Sequence, residues 1–146
     1  MLGVTCELMQ LYRKTKSAHA KCIACGNLEN NPSSLNLNFA KLDAVTVEGH
    51  FLCDEKFQGY QGILHGGITC LALDSAMTNC IFLLGIHAMT AEMNVRFIKK
   101  IPVGEMIKIR ARVTESRRKL HTVKAEIYLG NIVCADALGK FIEVDL

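Results

Sequence analysis

One carboxylate stands alone in a long apolar run. Between Ile68 and Leu84 the only charged residue is Asp74. Removing a lone carboxylate from water is costly unless it is hydrogen-bonded or put to use. The triplet His65-Gly66-Gly67 opens this run. The run reads as a helix from about Gly67, and the first N–H groups of a helix lack intrahelical acceptors and favour negative charge. A carboxylate and an anion-stabilising end on one helix suit acyl transfer or hydrolysis. The acid would act as base or nucleophile, and backbone N–H would hold an oxyanion. Cys70, Leu71, Met77, Thr78 and Ile81 share the helix face of Asp74. Thr78, one turn on, is a candidate to orient a water or bond the carboxylate. His65 is a candidate for direct chemistry, although imidazole at a helix start also serves as a structural hydrogen-bonder. Apolar surroundings would raise the pKa of Asp74 and backbone donors would lower it.

Other chemistry-bearing groups are scattered. The seven cysteines are an odd number, and no basic-then-apolar leader is visible, so a disulfide framework is not expected. Cys70, Cys80 and Cys134 lie in apolar segments and read as small core residues. Cys22-x-x-Cys25 follows His19 by three residues. A structural zinc needs four ligands, and no second Cys-x-x-Cys pair is present, so free thiols are expected and no metal is assigned. Arg117-Arg118-Lys119 and Lys99-Lys100 read either as solvated turns or as a cradle for phosphates. Residues 96–146 hold eleven Lys/Arg against six Asp/Glu, while residues 1–95 hold six against eight. That mildly basic C-terminal part suits a phosphate-bearing small molecule and is too weak to argue for nucleic acid. His50, His87 and His121 receive no role.

The elements that must position these groups follow from periodicity. The 146 residues, half of them hydrophobic, suit one domain, 1–146, with residues 1–20 as an N-terminal helical extension. Residues 5–17 have helical spacing, and residues 22–34 read as loop. Leu35, Leu37 and Phe39 alternate as a strand, and Val45, Val47 and Phe51 continue across a hairpin. After the long helix, period two returns in Ala91–Phe97, Ile107–Val113, Val123–Leu129 and Ile132–Ile142. Pro102/Gly104, Glu115–Leu120 and Gly130-Asn131 mark the turns. Short connections predict an antiparallel meander. A helix apolar nearly all round must be wrapped by sheet. The fold class is therefore α+β, with five to six antiparallel strands around one long central helix. The longest uncharged run is too short and too polar-flanked for a membrane span, so a cytoplasmic protein without membrane contacts is expected.

The chain resembles the hotdog-fold acyl-CoA thioesterases, in particular the PaaI-like group of the 4-hydroxybenzoyl-CoA thioesterase-like superfamily. The resemblance rests on HGG at 65–67, LALDSAM at 71–77 and TAEMNVRFIKKIPVG at 90–104, with a CxxCG…NP stretch at 22–39. It spans roughly residues 20–142. It implies an acid at Asp74 that drives thioester hydrolysis as nucleophile or as base for water. It also implies a backbone N–H at Gly66, with Gly67 adjacent, that polarises the carbonyl. Many relatives carry Asn or Gln at the position of Gly59; here Gln58 and Gln61 flank it and are the candidate amides. Glu92 and Asn94 are candidates to line the acyl pocket, and Arg117 and Arg118 to bind the phosphates of coenzyme A.

Gly66 and Asp74 are eight residues apart, roughly 12 Å along a helix at about 1.5 Å per residue. One carbonyl cannot touch both, so a shared reaction requires two chains and a site at a symmetric interface. The expected protein is thus a homodimer, or a dimer of dimers, that hydrolyses acyl-CoA without cofactor, coenzyme A being part of the substrate. A non-catalytic acyl-CoA binder and a hotdog dehydratase are the alternatives.

Overall fold

The computed structural model describes the backbone from Leu2 and side chains from Cys6 through to Leu146; Met1 lies outside the described residues. The N-terminal helix α1 spans Leu2–Lys16 and runs into a single 3-10 turn, Ser17–His19. The central helix α2 spans Gly66–Phe82. Six strands follow the chain as β1 Phe39–Asp43, β2 Thr46–Leu52, β3 Ala88–Phe97, β4 Met106–Arg117, β5 Leu120–Leu129 and β6 Ile132–Glu143. They form one antiparallel sheet in the order β1-β2-β4-β5-β6-β3.

The sheet curls around α2, which touches β2, β3, β4, β5 and β6. Ala72, Leu73, Ala76, Met77 and Cys80 of the helix pack on Val47, Ile107, Ile109, Val123, Ile127 and Phe141, all buried. Each large side chain so buried contributes about 1.5–3 kcal/mol. This is the α+β, hotdog arrangement that periodicity and resemblance imply. Its strand order departs from a simple meander. β3 crosses to the far edge beside β6, because the segment after it is drawn back under the start of α2. Ile101 O accepts from Leu64 N at 2.8 Å, Val103 N donates to Gly62 O at 3.0 Å and Gly104 N to Cys53 O at 2.7 Å. Those bonds deliver the chain to β4 beside β2 rather than beside β3.

Two boundaries also differ from the periodicity. Residues 35–38 form no strand. Leu35 N and Leu37 N donate to Ile23 O and Ala24 O of the cysteine loop, and Asn36 adopts a left-handed φ of 53°. The ladder therefore begins only at Phe39. The β4–β5 turn is tighter than Glu115–Leu120, since pairing persists to Arg117↔Leu120 and Arg118 takes a φ of 55°.

Helix α1 covers the C-terminal half of α2. The Tyr12 hydroxyl donates to the fully buried Asn79 Oδ1 at 2.9 Å, and Asn79 Nδ2 donates to Ser75 O at 2.8 Å. Gly85 ends α2 at a φ of 74°, where a Cβ would lie 2.7 Å from Leu11 of α1. The N-terminal half of α2 has no such cover among the described residues. Gly67 is exposed, and Ile68, Cys70, Leu71 and Asp74 are half-buried, forming one open stripe.

Candidate active site

The start of α2 is built by His65. Its backbone is extended (φ −63°, ψ 135°), and its Nδ1 accepts from Gly67 N–H at 2.8 Å. A neutral ring so placed carries its proton on Nε2. His65 O accepts from Ile68 N at 3.0 Å and from Thr69 N at 3.1 Å. Of the first-turn donors, Gly66 N–H alone has no partner among the described residues. It points out of a helix end that carries partial positive charge. Sequence reasoning named both glycines; the geometry divides them, since the N–H of Gly67 is taken by the cap.

Asp74 lies two turns further along the open stripe and is half-buried rather than enclosed in the core. Its Oδ1 accepts from the Thr90 hydroxyl of β3 at 2.6 Å. No other partner of Asp74 occurs among the described residues, so Oδ2 is available. Thr78 is buried one turn on and makes no bond to the carboxylate; the hydroxyl that holds Asp74 is Thr90. Strict alternation from Phe97 back through Val95 and Met93 puts Ala91 on the helix side of β3. The register instead shifts between Thr90 and Glu92. This bulge leaves Ala91 as the extra residue and turns Thr90 inward. Thr90 stood in the motif of the resemblance, but periodicity gave no sign of its direction. Cys70, one turn before Asp74, has its thiol pKa raised by burial, so it stays protonated and is a poor nucleophile at neutral pH.

The remaining candidates fall in three places. Glu92 and Asn94 lie on the sheet face opposite α2, in a cleft of about 380 Å³ with Arg96, Asp136 and Lys140. Lys140 Nζ is 3.8 Å from Glu92, and Arg96 Nε donates to Asp136 Oδ1 at 2.9 Å. The same strand that aims Thr90 at the helix therefore aims Glu92 and Asn94 away from it. Arg117 and Arg118 sit on the β4–β5 hairpin, at the far end of β4 from the Gly62–Gly66 segment. Lys99 and Lys100 border a cleft of about 450 Å³ together with Gly66, Phe97 and Ile98. A second cleft of about 510 Å³ runs along Gln58, Gly59, Tyr60, His65 and Gly66. Gln58 lines it, but its Oε1 is committed to Gly62 N–H at 2.9 Å. Gln61 is exposed in the adjoining loop. A Cβ on Gly59 would stand 3.1 Å from the His65 ring, so the bare backbone here makes room for the capping imidazole.

A single long helix inside a curled antiparallel sheet is the hotdog arrangement, here with an acid on the helix's open stripe and a free N–H at its start. Residues 61–135 match the family model described as Thioesterase superfamily, and the chain belongs to that superfamily. A Saccharolobus solfataricus protein that carries a provisional esterase name is 31% identical over 111 residues, covering 74% of this chain and 73% of that protein. Acyl-coenzyme A thioesterase THEM4 of Bos taurus is 28% identical over 90 residues, 60% of this chain; the match spans only 37% of that longer protein. The fold superposes on the E. coli PaaI protein from the phenylacetic acid degradation operon with a TM-score of 0.79 at 16% identity, covering 94% of this chain and 96% of that one. Among the described residues no helix is long and apolar enough to cross a membrane.

Proposed function

We propose that this chain hydrolyses the thioester of an acyl-coenzyme A to the free acid and coenzyme A, at a site completed by two copies of the chain. The observation that carries this is the state of Asp74. One carboxylate oxygen is fixed by Thr90 and the other has no partner among the described residues, on the half-buried, open stripe of α2. The free N–H of Gly66 supplies the second half of the chemistry. Both groups lie on one straight helix, roughly 12 Å apart by their eight-residue spacing. A carbonyl bound at Gly66 therefore meets Asp74 of the partner subunit, and each dimer holds two sites. The ten-residue edge strand β3, with Met89 and Phe97 exposed, is available for that pairing.

In this reading the thioester oxygen accepts from Gly66 N–H, and the helix dipole stabilises the oxyanion as it forms. Asp74 takes a proton from water as the water oxygen attacks the carbonyl carbon. Collapse of the intermediate breaks the C–S bond, and the proton returns to the departing thiolate. Direct attack by Asp74 would instead give a mixed anhydride that water then cleaves, with the same products. Lys99 and Lys100 suit the phosphates of coenzyme A as point charges. No cofactor enters the reaction. The engagement of His65 Nδ1 in the helix cap supports hydrolysis over a dehydratase, which needs a free imidazole base.

The test is a panel of acyl-CoAs followed by chromatography, wild type against Asp74→Asn. Release of free acid and coenzyme A, lost by about 10²–10⁴-fold in a variant that remains folded and dimeric, supports the reading. Binding without turnover would make the protein an acyl-CoA carrier, and an enoyl product would make it a dehydratase.

A further inference from the structure

A second cluster, away from Asp74 and Gly66, has the makings of a metal centre. His19, Cys22 and Cys25 bring one imidazole nitrogen and two sulfurs within 4.8 Å of one another. His19 Nδ1 and Cys25 Sγ are 3.6 Å apart. Ligand atoms around a tetrahedral zinc, with Zn–S near 2.3 Å and Zn–N near 2.0–2.1 Å, stand about 3.5–3.8 Å apart. The sequence supplies two cysteines and no fourth ligand, which argues for free thiols. The fold adds what the spacing lacks, because the 3-10 turn Ser17–His19 folds the imidazole back over the cysteine loop.

The local backbone is arranged around the sulfurs. Cys22 N donates to His19 O at 3.0 Å and Gly26 N to Cys22 O at 2.9 Å, closing two consecutive tight turns. Ala24 N–H is directed at Cys22 Sγ, 3.3 Å away. Gly26 must be glycine: a Cβ there would lie 2.6 Å from Cys22 O and 2.9 Å from Ala20 O. The His19 ring is held edge-on against Phe82, with centroids 4.9 Å apart, so its Nδ1 faces the sulfurs. Cys25 is buried, whereas Cys22 and His19 are half-buried. The ligand set is thus closed on its inner side and open to solvent on the other.

We propose that His19, Cys22 and Cys25 bind one zinc-class divalent ion, with water in the fourth position. Two thiolates and an imidazole select a borderline-soft ion over magnesium or calcium. Binding displaces two thiol protons to solvent, so affinity rises with pH. The ion ties His19, at the end of the 3-10 turn that follows α1, to the loop at residues 20–38, whose own backbone bonds run within the loop and back to that turn. Its work is to clamp that segment, and it takes no part in the thioester chemistry proposed above.

The experiment uses reduced, untagged protein purified without chelator. Metal content is read by atomic emission. Cobalt(II) is then added to the metal-stripped chain and thiolate-to-cobalt charge transfer is followed in the near ultraviolet. We expect about one zinc per chain, the charge-transfer band on wild type, and loss of both in Cys22→Ser and Cys25→Ser. His19→Gln should weaken cobalt binding by about 10-fold or more, and Cys6→Ser should change nothing. Stripping the metal should lower Tm. Wild type that binds neither zinc nor cobalt would overturn the proposal without reference to any variant. So would a band that survives the Cys22→Ser/Cys25→Ser double substitution, or a Cys22–Cys25 disulfide in place of the metal.

Discussion

The Thr90 hydroxyl donates to Asp74 Oδ1 at 2.6 Å, joining the edge strand β3 to the middle of the central helix. This bond fixes which carboxylate oxygen faces the open stripe, and it exists because the bulge at Ala91 turns Thr90 inward. A hydrogen bond to a charged group contributes about 1.5–3 kcal/mol. Thr90→Val should therefore lower kcat for acyl-CoA hydrolysis by roughly 10- to 100-fold at about 1.4 kcal/mol per decade. Thr90→Ser should retain most activity. Steady-state kinetics on the best substrate of the panel checks this; equal activity in the valine variant would remove Thr90 from the site.

Gly66 can be tested without changing a side chain that touches anything. It is the first helical residue, where proline is tolerated, and His65 before it already has the extended backbone that a following proline requires. Gly66→Pro deletes the free N–H and leaves the helix in place. The expected outcome is a fall of about 10²–10³-fold in kcat with near-native Tm. Gly66→Ala keeps the N–H, and its Cβ would meet Phe97 at an ordinary 3.5 Å, so it should stay within a few-fold of wild type.

Ser75, beside Asp74 on the buried side of α2, has an Oγ without a partner among the described residues. An unbonded buried hydroxyl costs about 1–3 kcal/mol. Ser75→Ala removes that group at nearly constant volume. It is expected to be neutral or to stabilise by up to about 1 kcal/mol, read by urea denaturation. A clear loss of stability would mean that the hydroxyl has a partner in the assembled protein.

Acid should weaken the outer face of the same edge strand. The Arg96 hydrogen bond and charge hold Asp136 below its usual carboxylate range and hold Arg96 correspondingly higher. A depressed folded-state pKa gives stability that is present above the unfolded value, about 3.9, and is lost as pH falls through the folded one. Asp136→Asn should thus lower Tm slightly at neutral pH, where the pair contributes, and converge with wild type as pH falls below about 4. High salt should shrink the difference, because the pair is largely exposed on the Arg96 side.

Much of the candidate site was legible because it is local. Asp74, the two glycines at the start of the helix and His65 before them all belong to one segment, whose apolar composition and short-range geometry the chain itself dictates, although only the structure divided Gly66 from Gly67. The eight-residue spacing behind the proposed two-chain site is likewise a property of any straight helix. Most strands followed from period two for the same reason. Their stretches alternate, and alternation is set residue by residue.

What the sequence by itself determined is therefore the central helix, its two chemical groups and the wrapping sheet. Tertiary structure alone decided that β3 lies beside β6, that Thr90 rather than Thr78 holds Asp74, and that Glu92 and Asn94 face the other way. It also decided that Lys99 and Lys100 border one cleft with Gly66, and that His19 folds over two cysteines. Each of these depends on pairing between distant segments or on one extra residue in a strand. A one-residue shift reverses every side chain beyond it and leaves no trace in local periodicity.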